Sequence, residues 1–242
     1  MNQETKIVGI CLVKNEDLYI HTVLTNILDF CDKIIILDNM STDHTDFIVR
    51  EFEQKYPSKI TAMKWTNPLN SGLVLQEYIG TNTWVFGVDG DEIYDPEGLK
   101  AVKQKIKSGE CKEYWRIGGH ALHCEHIDFK TNLAKGYLAP PSRPVAKLFN
   151  FNLMESWPQN ERLHGANHVF KEGAKENTFP DIVEKLDWDK SYFRCLHACF
   201  VPRSSLDNST LRNIVWAPSN WKNEKYKRGK LTEKDISAFY KE

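Results

Sequence analysis

The chain has 242 residues, 41% of them hydrophobic and 27% charged, enough apolar material for one sizeable α/β domain or a domain with a small appendage, and too much for a disordered chain. Its formal net charge of -1 excludes a chain-wide electrostatic grip on nucleic acid, which needs a basic face. The first apolar run, Ile7 to Val13, is too short to cross a bilayer and follows no secretory leader, and the six cysteines contain no C-x-x-C pair, so a reduced, cytoplasmic protein is expected.

Taken in chain order, "KIVGICLV" is a buried-strand pattern, "LYIHTVLTNILDFC" has apolar residues at helical spacing, and "KIIILD" is a second strand. "TDFIVREFEQKY" is helical, "ITAMKW" strand-like, "LNSGLVLQEYIGTN" helical again, and "WVFGVD" closes the series as a strand. Short apolar runs separated by helices are what strands covered on both faces require, which predicts a doubly wound, mostly parallel, Rossmann-like sheet. Beyond residue 100 the pattern changes. "GLKAVKQKIKSG" is a short amphipathic helix, "EYWRIGGHALHCEHIDF" alternates like a strand or hairpin, and "KGYLAPPSRPVAKLFNF" is a proline-marked loop feeding another strand. "HGANHVF" and "SYFRCLHACFV" add strand-like pieces before a lysine-rich tail, so the second half is expected as an antiparallel C-terminal extension of the same sheet.

In such sheets ligands sit beyond the carboxyl ends of the strands. Those ends are polar in turn: Lys14, Asn15 and Glu16; Asp38 and Asn39; Thr66 and Asn67; then Asp89, Asp91 and Glu92. The last group follows an apolar strand directly, and carboxylates this close raise one another's pKa unless a cation neutralises them. Oxygen ligands favour a hard ion, Mg²⁺ or Mn²⁺, with positions left for substrate phosphates. The plainer alternative is a solvated turn with Gly90 at a positive φ.

Three stretches, "VGICLVKNEDLYIHTVL", "KIIILDNMSTDHT" and "TWVFGVDGDEIYDPEGL", resemble in order and spacing the signatures of family-2 glycosyltransferases with the GT-A fold, over roughly residues 5 to 110. The resemblance implies that Asn15 and Glu16 lie beside a nucleotide, that Asp38 accepts hydrogen bonds from the base or ribose of a nucleoside-diphosphate sugar, and that Asp89 and Asp91 form the D-x-D metal motif, with Asp91 the direct ligand. Glu92 extends the motif to the D-x-D-E form of one branch. The first strand departs from the family in lacking a proline and tyrosine before its polar end, and Gly90 stands where alanine is common. The resemblance further implies that a late histidine, here His197 in "CLHACFVPRSS", completes the metal site, with Arg203 and Ser204 available to the diphosphate.

An inverting transfer needs a base to deprotonate the acceptor hydroxyl. "ESWPQNERLHGANH" offers Glu155, Glu161, His164 and His168, and Glu161 is the candidate taken forward, a surface charge being the plainer reading. "HALHCEH" contains zinc-competent His120, His123, Cys124 and His126. No second ligand pair follows at a recognised spacing, and on a strand residue 123 faces away from 120, 124 and 126, so these residues are expected to line an acceptor groove or a core edge. The tail "WKNEKYKRGK" is expected as a solvated helix and is a candidate for peripheral contact with an anionic membrane face or a charged glycan.

These readings divide the chain into a nucleotide-sugar-binding half (1–110), an acceptor-side half of the same domain (111–218) and a basic tail (219–242). The expected activity is that of a metal-dependent, hexosyltransferase-like GT-A enzyme using Mn²⁺ or Mg²⁺, transferring a sugar with inversion from a nucleoside diphosphate to a hydroxyl of a glycan, lipid-linked or protein acceptor, without nucleic acid. Two rivals belong to other classes. One is a nucleotide-sugar-binding module without transfer chemistry; the other is a sugar-nucleotide pyrophosphorylase, which should carry a glycine-rich phosphate loop where "CLVKNED" has no glycine.

Overall fold

The structure is a computed structural model that describes residues 4–141, 144–158, 161–163, 167–176, 187–206 and 225–240. Its first half follows the predicted alternation: β1 (Lys6–Val13), α1 (Ile20–Leu28), β2 (Lys33–Asp38), α2 (Thr45–Lys55), β3 (Ile60–Lys64), a run of 3-10 turns over Pro68–Tyr78, and β4 (Thr83–Asp89). β1 lies between β2 and β4, β3 flanks β2, and all three pairings are parallel. The chain continues through β5 (Glu92–Tyr94), α3 (Pro96–Lys107), β6 (Arg116–Asp128), β7 (Leu133–Ala139), β8 (Val145–Asn150), β9 (Met154–Ser156), β10 (Val169–Phe170), β11 (Arg194–His197) and β12 (Leu231–Asp235). β8 joins β4 antiparallel, and β6, β7 and β12 extend the sheet in the order β12-β7-β6-β8-β4-β1-β2-β3. The outcome is the expected parallel half with an antiparallel extension of the same sheet.

The strands are apolar on both faces because both faces are covered. Ile7, Cys11 and Val13 of β1 point into a core shared with α1 (Val23, Leu24, Ile27), α2 (Val49, Phe52) and α3 (Leu99, Val102, Ile106). Val8 and Ile10 point the other way, onto Leu75, Phe149, Phe151, Trp157 and Leu163. The period-2 alternation of β1 thus feeds two cores. Where a regular helix was expected at residues 69–82, 3-10 turns form instead. Asn70, Ser71 and Gly72 are weak helix formers, and Gly72 packs so closely that a Cβ there would lie 2.8 Å from the Glu161 carbonyl oxygen.

Two short elements set up the site. β11 lies between β5, antiparallel, and β6, parallel, with His197 in register with Glu92 on one side and His123 on the other. Its approach to β6 depends on Gly119, where a Cβ would lie 1.8 Å from the Phe193 carbonyl oxygen. Residues 221–224 of the stretch expected as a solvated helix lie outside the described residues; in the rest of it Lys227 donates to Glu125 while its ammonium lies 4.8 Å from the centre of the Phe200 ring, and just after it β12 pairs with β7. β12 is thus an edge strand of the sheet. Among the described residues no helix is long and apolar enough to cross a membrane.

Candidate active site

The parallel strands end together, and the connection after each is held by its neighbours. Asn15, at φ 53°, accepts from the Thr42 amide (2.8 Å) through its side chain, and its own amide donates to Ser41 Oγ (3.0 Å). Asn tolerates this left-handed conformation better than other non-glycine residues. The Glu16 amide donates to Thr45 Oγ1 (2.7 Å). Asp38, the last residue of β2, is buried; Ser41 N donates to it (2.9 Å), and Lys64 forms an ion pair with its other oxygen. The "STD" turn therefore clamps the ends of β1 and β2.

Asp89 ends β4, and Asp91 and Glu92 follow in a tight turn. Gly90 does not carry the positive φ that a solvated turn would use. It is needed because a Cβ would meet Glu16 Cγ at 2.8 Å and Val13 Cγ1 at 3.0 Å. The turn is buried, not solvated: Asp91 is 2% exposed and Glu92 3%. Lys147 of β8 donates to Asp89 Oδ2 (2.6 Å) and Glu92 Oε1 (2.7 Å), and Arg162 lies 3.4 Å from Asp89 Oδ1. Arg203 donates to Asp91 Oδ2 (2.6 Å) and lies 3.2 Å from Glu16 Oε1. His197 Nε2 stands 3.6 Å from the same Asp91 oxygen, and Ala198 N donates to the Asp91 carbonyl (2.9 Å), fixing β11 against the motif.

Such crowding of charge moves the titrations apart. Burial raises the Asp91 carboxyl, but the adjacent Arg203 outweighs it and holds the group below the usual carboxylate range. Burial pushes Glu92 up to about 7 against the pull of Lys147. Burial likewise lowers His197 to about 4, so its imidazole is neutral at pH 7 and can act as a ligand without first losing a proton.

A cavity of about 190 Å³ opens between the two halves of the sheet, lined by Asp89, Glu92, His123, Lys147, Arg162 and His197, with Tyr226 at its wall. The carboxylates of Asp89 and Asp91 and the nitrogen of His197 are donors of the kind a divalent ion takes, with His197 3.6 Å from the Asp91 oxygen that Arg203 now holds. These residues fit the metal that the resemblance implies.

Of the residues singled out from sequence, Asp89, Asp91, His197 and Arg203 come together here, with Glu16 beside Arg203. Asn15 and Asp38 sit on the neighbouring strand ends and do not line the cavity. Glu161 is outside it too, its carboxylate accepting from the side chain and the backbone amide of Asn167. Ser204, expected toward a diphosphate, donates instead to Asp43 (2.6 Å). Glu155 is exposed on β9, His168 is packed against Trp157 and Phe149, and His164 lies outside the described residues. Lys147, Arg162 and Tyr226 were not anticipated. Of these, Lys147 left a signal, a lone charge inside the apolar strand "VAKLFN".

Residues 10–115 match the family model described as Glycosyl transferase family 2. No curated protein matched the chain. Among solved structures, S. aureus TarS in complex with UDP shares 21% identity at a TM-score of 0.36, with 50% of this chain and 35% of that one covered. Glucosyl-3-phosphoglycerate synthase from Mycobacterium tuberculosis, in complex with Mn²⁺, UDP and glucosyl-3-phosphoglycerate, shares 16% identity at a TM-score of 0.35, covering 48% and 44%. Mannose-6-phosphate isomerase from Helicobacter pylori matches at 9% identity and a TM-score of 0.37, covering 79% and 96%. The chain thus spans about a third of the first of these proteins and under half of the second. What the chain shares with that family model is therefore the stretch 10–115, which takes in the second and third motif segments and nearly all of the first.

Proposed function

We propose that the protein is a metal-dependent glycosyltransferase that moves a sugar from a nucleoside-diphosphate donor to a hydroxyl acceptor, with inversion. The observation that carries this reading is the convergence of Asp91 with His197, two residues far apart in sequence whose donor atoms face each other across 3.6 Å at the carboxyl ends of the strands. Asp89, Asp91 and His197 would hold Mn²⁺ or Mg²⁺, which when bound neutralises charge on a diphosphate leaving group. Arg203 and Arg162 add fixed positive charge at the same rim, where a departing diphosphate gathers negative charge. Asn15, Glu16 and Asp38 form the donor side of the site.

For the acceptor's proton the cavity favours Glu92 over Glu161. Glu92 lines the cavity and burial pushes its carboxyl upward, whereas Glu161 is turned toward Asn167. The acceptor is a glycan, a lipid-linked sugar or a protein hydroxyl, reached in the cytoplasm, and the basic residues near the C-terminus are available to an anionic membrane face.

The reading is tested by assaying release of nucleoside diphosphate from a panel of nucleotide sugars with the wild type and with Asp91→Ala. Turnover that requires Mn²⁺ or Mg²⁺ and vanishes in Asp91→Ala supports it. Undiminished activity in that variant refutes it.

A further inference from the structure

The two nitrogens of His197 face different clusters. Nε2 points to Asp91 at 3.6 Å, and Nδ1 lies 3.0 Å from Nδ1 of His123. On the His123 side, Cys199 joins them: one ligand atom each from His123, His197 and Cys199 lies within 4.8 Å of the other two. Sheet geometry produces this group. His123 and His197 are directly opposite each other in the parallel β6–β11 pair, and Cys199 follows His197 by two positions.

Two imidazoles and a thiol form a softer donor set than the carboxylates of the D-x-D turn. Nitrogen and sulfur ligands select Zn²⁺, whereas Mg²⁺ and Mn²⁺ prefer oxygen. A tetrahedral zinc, with bonds of about 2.0–2.1 Å to nitrogen and about 2.3 Å to sulfur, holds such atoms roughly 3.3 to 3.8 Å apart, so side-chain rotations of about an ångström would close the set. Access exists, because His123 and His197 both line the cavity. The spacing within "HALHCEH" offered no complete set because the partners of His123 come from β11 and the residues after it.

We propose that His123, His197 and Cys199 form a second metal site, for Zn²⁺, bound through Nδ1 of both histidines and the Cys199 thiolate, with a fourth position open to water or substrate. Zinc on Nδ1 of His197 leaves the proton on Nε2, directed at Asp91, the carboxylate–histidine–zinc relay that fixes a ligand's orientation. With His197 engaged by zinc, the donor-site ion would draw on Asp89 and Asp91, oxygen ligands suited to a hard metal, in place of the set that includes His197. The zinc site also ties β11 to β6 and so holds the D-x-D turn, to which β11 is bonded through Ala198. The inference does not need the glycosyltransferase reading, but it moves His197 from that reading's donor-metal set to the zinc site.

The test uses the full-length protein, stripped with a chelator and reloaded with Zn²⁺ or Co²⁺. Elemental analysis after desalting is expected to give one zinc per chain, and the cobalt form a thiolate-to-metal charge-transfer band in the near ultraviolet. Cys199→Ser should abolish that band and weaken zinc retention by about 100-fold or more, and His123→Gln should weaken it similarly. Asp89→Asn should leave zinc content unchanged even where it removes Mn²⁺-dependent donor binding. The wild-type spectrum stands whether or not the variants fold. Loss of zinc from the wild type on desalting, or a cobalt form without a thiolate band, would overturn the proposal, as would a folded Cys199→Ser that binds zinc as tightly as the wild type.

Discussion

The two halves of the sheet contribute to one rim in different ways. The parallel half supplies residues at strand ends: Glu16 after β1, Asp38 at the end of β2, and Asp89 and Asp91 after β4. The antiparallel half supplies residues from within strands, Lys147 in β8, His123 in β6 and His197 at the end of β11, all placed by pairing register. A strand end is marked locally, by an apolar run giving way to acids. A register is marked nowhere in the local sequence, because it is decided by which distant strand arrives alongside.

The comparison can be broken most sharply at Lys147. Replacing this buried cation by Met leaves Asp89 and Glu92 facing each other, and the expected cost is about 3–5 kcal/mol in urea denaturation, the loss typical of breaking a buried ion pair. A cost under about 1 kcal/mol would mean that register-placed charge matters no more than surface charge. Next in size is Thr45→Val in the parallel half, which leaves the Glu16 amide without its acceptor and should cost about 1–3 kcal/mol by the same measurement. Asn15→Ala is expected to cost about 1–2 kcal/mol through its left-handed backbone, and Asn15→Gly distinctly less. Equal losses in the two variants would point to the Thr42 contact as the cause instead. The smallest effect is expected at the far edge: Lys234→Ala removes the ion pair of β12 with Asp189 and should change stability by about 0–1 kcal/mol.

Much of the parallel half was legible in the sequence. The alternation of apolar runs with helical spacing names its strands, and the residues after them fall where the structure brings Glu16, Asp89 and Asp91 together. The third crossover was read as a helix because Leu73, Val74 and Tyr78 are spaced like one; Asn70, Ser71 and Gly72 and the pressure of Trp157 on Gly72 turn it into 3-10 turns. His197 was found through a family pattern. Its neighbour His123 could not be paired with it, since nothing local shows that β11 inserts parallel to β6. Glu161 was chosen for being acidic near the acceptor side, yet the fold gives that position in the cavity to Arg162 and turns the glutamate to Asn167. Glu92 was seen as an extension of the D-x-D motif, and burial, with the charges of Asp89 and Asp91 beside it, is what pushes it up to about 7 against the pull of Lys147.

The central claim, that a nucleoside diphosphate binds at this rim through a divalent ion held by Asp91, is tested most directly by calorimetric titration. The wild type and Asp91→Asn would be titrated with UDP, GDP, CDP and dTDP sugars, each in Mn²⁺, in Mg²⁺ and in EDTA. The account predicts binding of one nucleotide class that requires the metal and is lost in Asp91→Asn. Binding that is equally tight in EDTA, or no binding of any nucleotide sugar, would contradict it.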